Sequence, residues 1–314
     1  MFNRRVPSLA GIRLHSRLVR LLRHCSLIDL VLLAYVSVVG GVILVLPSIR
    51  YWEVLLLDHA LVIGLVFLIA KTAARHPSFF WKMVHCWYAA ALTPMAYREL
   101  YFLVRPPITC GDYDHALVAA DRWLFFGADP AVWLHGELWP PLVEWSQCVY
   151  TSFFFIPVSL GVFLCLRKRV DHYEEAIGAA TIGFYTSYLG YFFVPAIGPR
   201  YWVGRDLWIE GHGLWFTDRL RAHLDSLELC MRDCFPSGHV EVTLIVLFFA
   251  WRYHRPLFWF LLPIGLTMVF ATVYLQYHYV VDVIAGAVLA AIVVPAASAC
   301  YRRWEEVRRS LAAA

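Results

Sequence analysis

The chain has 314 residues, of which 61% are hydrophobic and only 16% are charged. Soluble globular domains contain about 45–50% apolar and about 25% charged residues, so the composition excludes an ordinary soluble protein. It also excludes a disordered chain, which would lack apolar and aromatic residues. The net charge of +4 is small and no basic stripe is interleaved with aromatic residues, which argues against nucleic-acid binding. The composition therefore predicts an integral membrane protein.

Apolar runs recur along the chain at lengths that would cross a bilayer. A transmembrane helix needs about 20 predominantly apolar residues. We predict an all-α, polytopic integral membrane protein with about eight transmembrane helices. The predicted spans are 30–49, 54–71, 80–103, 145–166, 176–199, 242–251, 256–281 and 283–301. Two longer segments between them, 104–141 and 197–238, are predicted to be interfacial loops or short amphipathic helices.

The positions of lysine and arginine predict the orientation. Most of the 27 basic residues lie in the N-terminal segment, the C-terminal tail and alternate loops. Cytoplasmic loops carry such an excess, so both termini are predicted to be cytoplasmic. The basic N-terminal segment also has leucines on one helical face, which indicates either a helix lying on the anionic leaflet or only a topology signal. The compact loops favour a bacterial inner membrane.

Three of the eight cysteines are predicted on the outer side, and none of the eight belongs to a CxxC pair. Cys110 could form a disulfide with Cys230 or Cys234 if that side faces an oxidising compartment. The sequence does not decide which of the two would be the partner.

Ionisable residues at membrane depth are costly and usually functional, and one cluster of polar residues stands directly before a predicted span. In Pro236-Ser237-Gly238-His239, the Pro and Gly break the chain, so the first backbone N–H groups of the helix are free to bind phosphate. Ser237 would add a hydroxyl group, and His239 lies in the same turn. The alternative is a simple helix cap with Ser237 as the N-cap and an incidental histidine.

A second cluster contains His278 and Asp282, whose spacing places both side chains on one helical face. Asp282 can accept a hydrogen bond from one ring nitrogen and leave the other free to attack. A buried polar pair is an alternative, and a metal site is another, although it would need a third nearby ligand. Arg200 closes a different span at the outer interface, either as a cation for phosphate or as a snorkelling arginine.

The three clusters are predicted at the same face of the membrane, and together they suit phosphoryl transfer. Their order along the chain, Arg, then Pro-Ser-Gly-His, then His-x3-Asp, resembles the phosphatidic acid phosphatase type 2 superfamily of six-helix membrane phosphoesterases. The resemblance covers about residues 80–300, and its most specific motifs lie within 195–286. Beside it, a transporter or scaffold without catalytic activity remains the alternative from another functional class.

The resemblance implies a role for each matching residue. His278 would be the nucleophile that forms a phosphohistidine, Asp282 would orient it, and His239 would be the general acid and then the base. The phosphoryl oxygens would be stabilised by Arg200, Ser237 and the backbone N–H of Gly238. This chemistry needs neither a metal nor another cofactor, and the expected partners are a lipid phosphate or phospholipid substrate and membrane lipids.

The motifs also depart from the phosphatase pattern. Phe193 stands where Lys-x6-Arg-Pro would have its lysine, and Ala271 and Thr272 replace the Ser-Arg of the third motif. Because these two phosphate-binding cations are missing, the motifs are more similar to those of the inositol phosphorylceramide synthase and sphingomyelin synthase branch. Enzymes of that branch move a phospho-headgroup between lipids. The resemblance thus implies an inositolphosphotransferase-like lipid phosphotransferase. The alternative is a phosphatase for polyprenyl or glycerolipid phosphates that uses water as the acceptor.

A second match to Lys-x6-Arg-Pro occurs two predicted helices earlier, from Arg98 to Pro106, with Arg in place of Lys. We hypothesise that Arg98 or Arg105 supplies a missing cation to the outer face. The alternative is a buried Arg98 in an ion pair and an interfacial Arg105.

The predicted organisation has four parts, with the active site on the periplasmic or lumenal side. They are a cytoplasmic basic amphipathic segment (1–28), two extra N-terminal transmembrane helices (29–75), a six-helix catalytic core (76–302) and a cytoplasmic tail (303–314).

Overall fold

A computed structural model describes residues 22–46, 49–104, 112–135, 138–202, 211–227 and 230–313. Within these ranges the chain forms helices and connecting turns, with no strand, as the composition predicts. Most of the predicted N-terminal basic segment, residues 1–21, lies outside the described part.

Twelve helices make up the described fold. They are α1 (Leu27–Val45), α2 (Trp52–Arg75), α3 (Phe79–Leu103), α4 (Asp114–Leu124), α5 (Pro130–His135), α6 (Pro140–Thr151), α7 (Phe155–Leu166), α8 (Val170–Phe193), α9 (Thr217–Leu227), α10 (Gly238–Tyr253), α11 (Arg255–Tyr274) and α12 (Val280–Ala313).

Four of these helices, α1, α2, α11 and α12, are long and apolar enough to cross a membrane. The pair α6 and α7, bent by 55° at a short break, would be a fifth span if counted together. Helix α3 carries Lys82, Arg98 and Glu99, α8 is rich in Tyr, Gly, Ser and Thr, and α10 has only 16 residues. An all-α membrane protein is therefore confirmed, whereas the count of eight spans stays a prediction.

Helix α8 lies at the centre of the bundle and packs against α1, α3, α7, α10 and α12. Its tyrosines face the interior: Tyr185 stacks on Tyr35 of α1 with ring centroids 4.2 Å apart, and Tyr188 and Tyr191 are buried. Aromatic pairs in this geometry add to the energy of area burial. Because neighbouring helices cover this face of α8, the polar side chains of Thr181 and Ser187 are buried as well.

Short helices form an outer layer at the end of the bundle where α10 and α12 begin. Helices α4 and α9 are amphipathic, and both come from the segments predicted to be interfacial. Large aromatic side chains are exposed beside them. They are Trp123, Phe126, Trp133, Trp215 and Phe216. Such residues gather at membrane–water interfaces, so we interpret this layer as lying at one surface of the membrane.

The starts of α10 and α12 are in close contact because of Gly286. A Cβ atom on this residue would lie 2.5 Å from the backbone oxygen of Ser237 and 3.3 Å from the Cβ of Val240. A side chain at position 286 would therefore push the two helices apart.

Replacing Gly286 with Ala is expected to lower the free energy of unfolding by about 1–3 kcal/mol, the usual cost of overpacking a core. Denaturant unfolding in detergent would measure the change. Gly64→Ala is the matched control: nothing lies within 4 Å of a Cβ added there, so a gain of about 0.5–1 kcal/mol is expected from helix propensity. Equal stability of the Gly286→Ala variant and the wild type would contradict the close packing.

Candidate active site

His278 lies in the turn between α11 and α12, and its ring is held by the segment before α10. Its Nδ1 atom is 2.7 Å from the backbone oxygen of Cys234 and 3.5 Å from Oδ2 of Asp282. A carbonyl oxygen only accepts hydrogen bonds, so Nδ1 carries the proton and Nε2 keeps its lone pair. The tautomer is thus set chiefly by the Cys234 carbonyl group, with Asp282 as the more distant partner.

Asp282 is fully buried in the first turn of α12. Its Oδ2 atom accepts hydrogen bonds from the thiol of Cys234 and from the backbone N–H of Tyr279, both at 2.8 Å. Its Oδ1 atom has no hydrogen-bond partner among the described residues. The carboxylate therefore holds the turn around His278 in place and also supplies negative charge near the ring.

Cys234 completes a group of three possible metal ligands with His278 and Asp282, whose ligand atoms lie within 4.8 Å of one another. Cys234 is the third nearby ligand that a metal site would need, and it was not predicted from the sequence. However, Nδ1 of His278 donates to a carbonyl group and the thiol donates to Asp282. Both ligand atoms would have to give up these hydrogen bonds to bind a metal, so the arrangement fits an oriented histidine better.

The thiol of Cys234 is free. The predicted alternative of a Cys110–Cys234 disulfide is therefore wrong, because the Cys234 sulfur instead contacts Asp282. Cys230 is buried, and Cys110 lies outside the described residues. A disulfide between Cys110 and Cys230 stays a prediction.

Ser237 caps α10, as its alternative interpretation expected, and also ties this helix to α12. Its hydroxyl accepts from the backbone N–H of Val240 at 3.4 Å, and its own N–H donates to the backbone oxygen of Asp282 at 3.2 Å. A Cβ on Gly238 would lie 3.0 Å from Oγ of Ser187, so glycine permits α8 to approach.

His239 lies on α10 and His278 in the turn before α12, yet the two rings are in contact. Their centroids are 5.6 Å apart with an interplanar angle of 60°. The His239 ring also packs against Tyr150 and Phe153, with centroids 4.5 and 4.3 Å away. Aromatic rings thus hold the second histidine beside the first.

Arg200 and His278 line one cavity of about 280 Å³. The other charged side chains in its wall, Asp225 and Asp233, were not identified from the sequence. The backbone N–H of Arg200 donates to the oxygen of Gln276 at 2.9 Å, which fixes the Arg200 loop against the turn that carries His278.

The guanidinium group of Arg200 is held by Asp225 of α9 through two hydrogen bonds of 2.7 and 2.8 Å. It also lies over the rings of Tyr201 and Tyr277, at 4.8 and 5.4 Å from their centroids. Burial raises the pKa of Asp225, but the hydrogen bond and charge of Arg200 lower it more, so the net shift is downward. The Asp225 carboxylate therefore binds the same two N–H groups of Arg200 that would bind a phosphate.

A sequence profile described as the PAP2 superfamily matches residues 115–296, more than half of the chain. This protein belongs to the PAP2 superfamily. One relative is a PA-phosphatase related-family protein of Dictyostelium discoideum, 31% identical over 98 residues that make up 29% of this chain and 17% of the relative. The chain thus spans only about a sixth of that relative's length. No solved structure matches the chain.

Membership of the PAP2 superfamily agrees with an all-helical chain that has several apolar helices. The matched region contains Arg200, Ser237, Gly238, His239, His278 and Asp282. Arg200 and His278 line the cavity. His239 and Asp282 lie beside the His278 ring, and Ser237 and Gly238 form the start of the helix that carries His239.

Asp233 is a further carboxylate of this PAP2 site. It accepts a hydrogen bond from the hydroxyl group of Tyr97 on α3. Burial raises the pKa of Asp233, although the hydrogen bond from Tyr97 opposes the shift. Its position four residues before Ser237 was the one sequence signal available for it, whereas nothing in the sequence pointed to Asp225.

Arg98, proposed as a substitute cation, is exposed on α3 and is not among the residues lining the cavity. The alternative prediction of a buried Arg98 is also wrong, because the Arg98 side chain is exposed. Arg105 lies outside the described residues. Within the described part of the PAP2 site, Arg200 is the cation that lines the cavity.

Helix α4 connects the Arg200 loop to the turn that carries His278. The carboxylate of Asp114 accepts hydrogen bonds from the backbone N–H groups of Ile197 and Gly198, at 3.0 and 2.9 Å. The same side chain accepts from the hydroxyl of Tyr279 at 2.9 Å. One buried carboxylate therefore holds two site-forming loops in register.

Asp121 lies seven residues after Asp114 on α4 and holds the start of α12 in place. Its carboxylate accepts from the backbone N–H groups of Val280 and Val281, at 2.9 and 2.8 Å. These are free donors of the first helical turn. A capping side chain from another helix thus sets where α12 begins.

Replacing Asp225 with Asn is expected to tighten the binding of inorganic phosphate or vanadate by roughly two- to fivefold. The neutral amide no longer balances the Arg200 charge, and a partly exposed pair of this kind contributes about 0.5–1 kcal/mol. Ligand-dependent shifts of the melting temperature in detergent would measure the affinity.

Asp218→Asn is the matched control, because Asp218 lies on the same helix but pairs with His212 and Arg221. Its affinity for phosphate should equal that of the wild type. Unchanged or weaker binding by the Asp225→Asn variant would show that Asp225 does not compete for Arg200.

Proposed function

We propose that this protein is a membrane lipid phosphotransferase that moves a phosphoryl-headgroup between lipid substrates through a phosphohistidine on His278. The observation that carries the proposal is the hydrogen bond from Nδ1 of His278 to the Cys234 carbonyl. It leaves the Nε2 lone pair as the nucleophile. His239 stands beside that ring, and Arg200 lines the same cavity.

In the proposed reaction, Nε2 of His278 attacks the phosphorus atom and the bond from phosphorus to the leaving lipid oxygen breaks. His239 gives a proton to that oxygen and later takes one from the acceptor hydroxyl. Asp282 stabilises the positive charge on the ring during the attack. The acceptor oxygen then attacks the phosphohistidine and frees His278.

Charge on the phosphoryl oxygens would be balanced by Arg200, the hydroxyl of Ser237 and the free N–H groups at the start of α10, including that of Gly238. No metal or other cofactor takes part in this proposal. If Arg98 contributes a cation, α3 would have to move toward the cavity, and Arg105 stays a second candidate.

The charge of the cavity favours a phosphodiester donor over a phosphate monoester. A diester carries one negative charge, whereas a phosphate monoester carries about −1.5 to −2 at pH 7. Arg200 is matched in the cavity wall by the carboxylates of Asp225 and Asp233. We therefore place the enzyme nearest to the inositol phosphorylceramide synthase-like branch, with a sphingolipid as a candidate acceptor.

The second candidate is a lipid phosphate phosphatase that uses the same residues with water as the acceptor. It is favoured by the relative named a PA-phosphatase related-family protein. In this case a polyprenyl or glycerolipid phosphate would be the substrate.

We further propose that residues 76–302 form the catalytic core and 29–75 add two transmembrane helices. The segments 1–28 and 303–314 would lie in the cytoplasm, with the active site on the periplasmic or lumenal side. A bacterial inner membrane is the proposed location.

Substitution of each histidine tests the proposed roles. With a 32P-labelled aryl phosphodiester, whose aryl leaving group needs no protonation, the wild type should form a labelled protein that turns over. His278→Ala should form no labelled protein, and its turnover should fall to background. His239→Ala should accumulate the label and turn over roughly 10²- to 10⁴-fold more slowly, the usual effect of losing a general acid or base.

His115→Ala is the control, because His115 is an exposed histidine of α4; it should label and turn over as the wild type does. Labelling that persists in the His278→Ala variant would refute His278 as the nucleophile.

Product analysis separates the two candidate functions. Purified protein would be given headgroup-labelled phosphatidylinositol with ceramide, and separately labelled phosphatidic acid. A labelled phospho-ceramide is expected for the transferase, and free phosphate from phosphatidic acid would instead establish the phosphatase. Activity should survive excess EDTA, and a loss restored by a divalent metal would contradict the metal-free mechanism.

A further inference from the structure

An open groove of about 650 Å³ lies between α10 and α12, away from the candidate active site. Both helices begin at the site and run away from it. On α10 the groove is lined by Leu244 and Phe248, and on α12 by Ala287, Ala290 and Val294. Its walls over this length are therefore apolar.

The shape of the groove follows from the residues of α12. Gly286 brings the two helices together at the site end. Beyond it, the small side chains of Ala287, Ala290 and Ala291 leave space between the helices. An open apolar groove on a helix bundle that lies in a membrane faces acyl chains, which are the apolar molecules available to fill it.

Polar side chains line only the far end of the groove: Arg252 on α10, and Ser298 and Arg302 on α12. Arg302 is exposed and makes no hydrogen bond or ion pair with any described residue. Arg252 contacts Glu175 at 3.2 Å, yet 40% of its side chain remains exposed. Ser298 is only 5% exposed, and its hydroxyl has no hydrogen-bond partner among the described residues.

We propose that this groove is a binding site for an anionic phospholipid, distinct from the substrate site. An acyl chain lies along the alanines of α12, and the phosphate lies between Arg252 and Arg302, with the Ser298 hydroxyl close by. Two cations against one carboxylate leave a net positive charge at this end, which selects an anionic headgroup over a zwitterionic one.

The length of the groove agrees with one leaflet. From Ala287 to Ser298 the helix rises about 16 Å at 1.5 Å per residue, and half of the hydrocarbon core of a bilayer is about 15 Å. A lipid from the leaflet opposite the candidate site would thus place its headgroup at the arginines and its chain end near Gly286. Its acyl chain would fill the space that Ala287, Ala290 and Ala291 leave between α10 and α12.

The test measures the melting temperature of the detergent-purified full chain with added phosphatidylglycerol or phosphatidylcholine of identical acyl chains. Phosphatidylglycerol is expected to raise the melting temperature by roughly 2–4 °C more than phosphatidylcholine. Native mass spectrometry should show one retained phosphatidylglycerol per chain. Any shift that inorganic phosphate causes at the Arg200 cavity should be the same in the wild type and the Arg302→Gln variant, because phosphate lacks the acyl chain that fills the groove.

Arg302→Gln should abolish the difference between the two lipids, whereas Arg303→Gln should keep it, because Arg303 is also exposed but does not line the groove. Ala291→Trp would fill the groove from an exposed position and should prevent lipid retention without unfolding the protein. Equal stabilisation by both lipids, or an unchanged preference in the Arg302→Gln and Ala291→Trp variants, would overturn the proposal. None of these residues belongs to the proposed catalytic site, so the outcome does not depend on that function.

Discussion

The close contact between the starts of α10 and α12 is the constraint on which the site depends. Gly286 permits it, and the N–H of Ser237 donates to the backbone oxygen of Asp282 across it. Because both helices begin here, their first turns bring His239 and Asp282 to the same place. Asp121 binds the first N–H groups of α12, so the donors proposed for a phosphate are those at the start of α10.

Buried carboxylates from the outer layer hold this contact in register. Asp114 binds the loop before Arg200, and Asp121 binds the first turn of α12. A buried carboxylate that accepts several backbone N–H groups has its desolvation cost offset by those bonds. Helix α4 is not one of the helices that are long and apolar enough to cross a membrane, yet its carboxylates fix the Arg200 loop relative to the turn that carries His278.

The contact between His278 and the Cys234 carbonyl group is one that a sequence motif does not contain. His278 and Asp282 were paired by their helical spacing, and the structure brings both to the site. The nearest partner of the histidine is nevertheless a backbone oxygen 44 residues earlier in the chain. Backbone carbonyl groups have no signature in an amino-acid sequence, so this contact could not have been predicted from spacing. The pairing of Arg200 with Asp225 is similar, since no periodicity links α9 to the Arg200 loop.

By itself, the sequence determined that the chain is helical and rich in apolar helices suited to a membrane, and it predicted the main residues of the candidate site. Apolar runs and rare buried polar residues carry that information directly, because lipid excludes unpaired charge. Only the tertiary structure decided which groups meet: Arg200 with Asp225, and His278 with the Cys234 carbonyl. These contacts join residues far apart in the chain, and their geometry depends on how closely the helices pack rather than on local sequence.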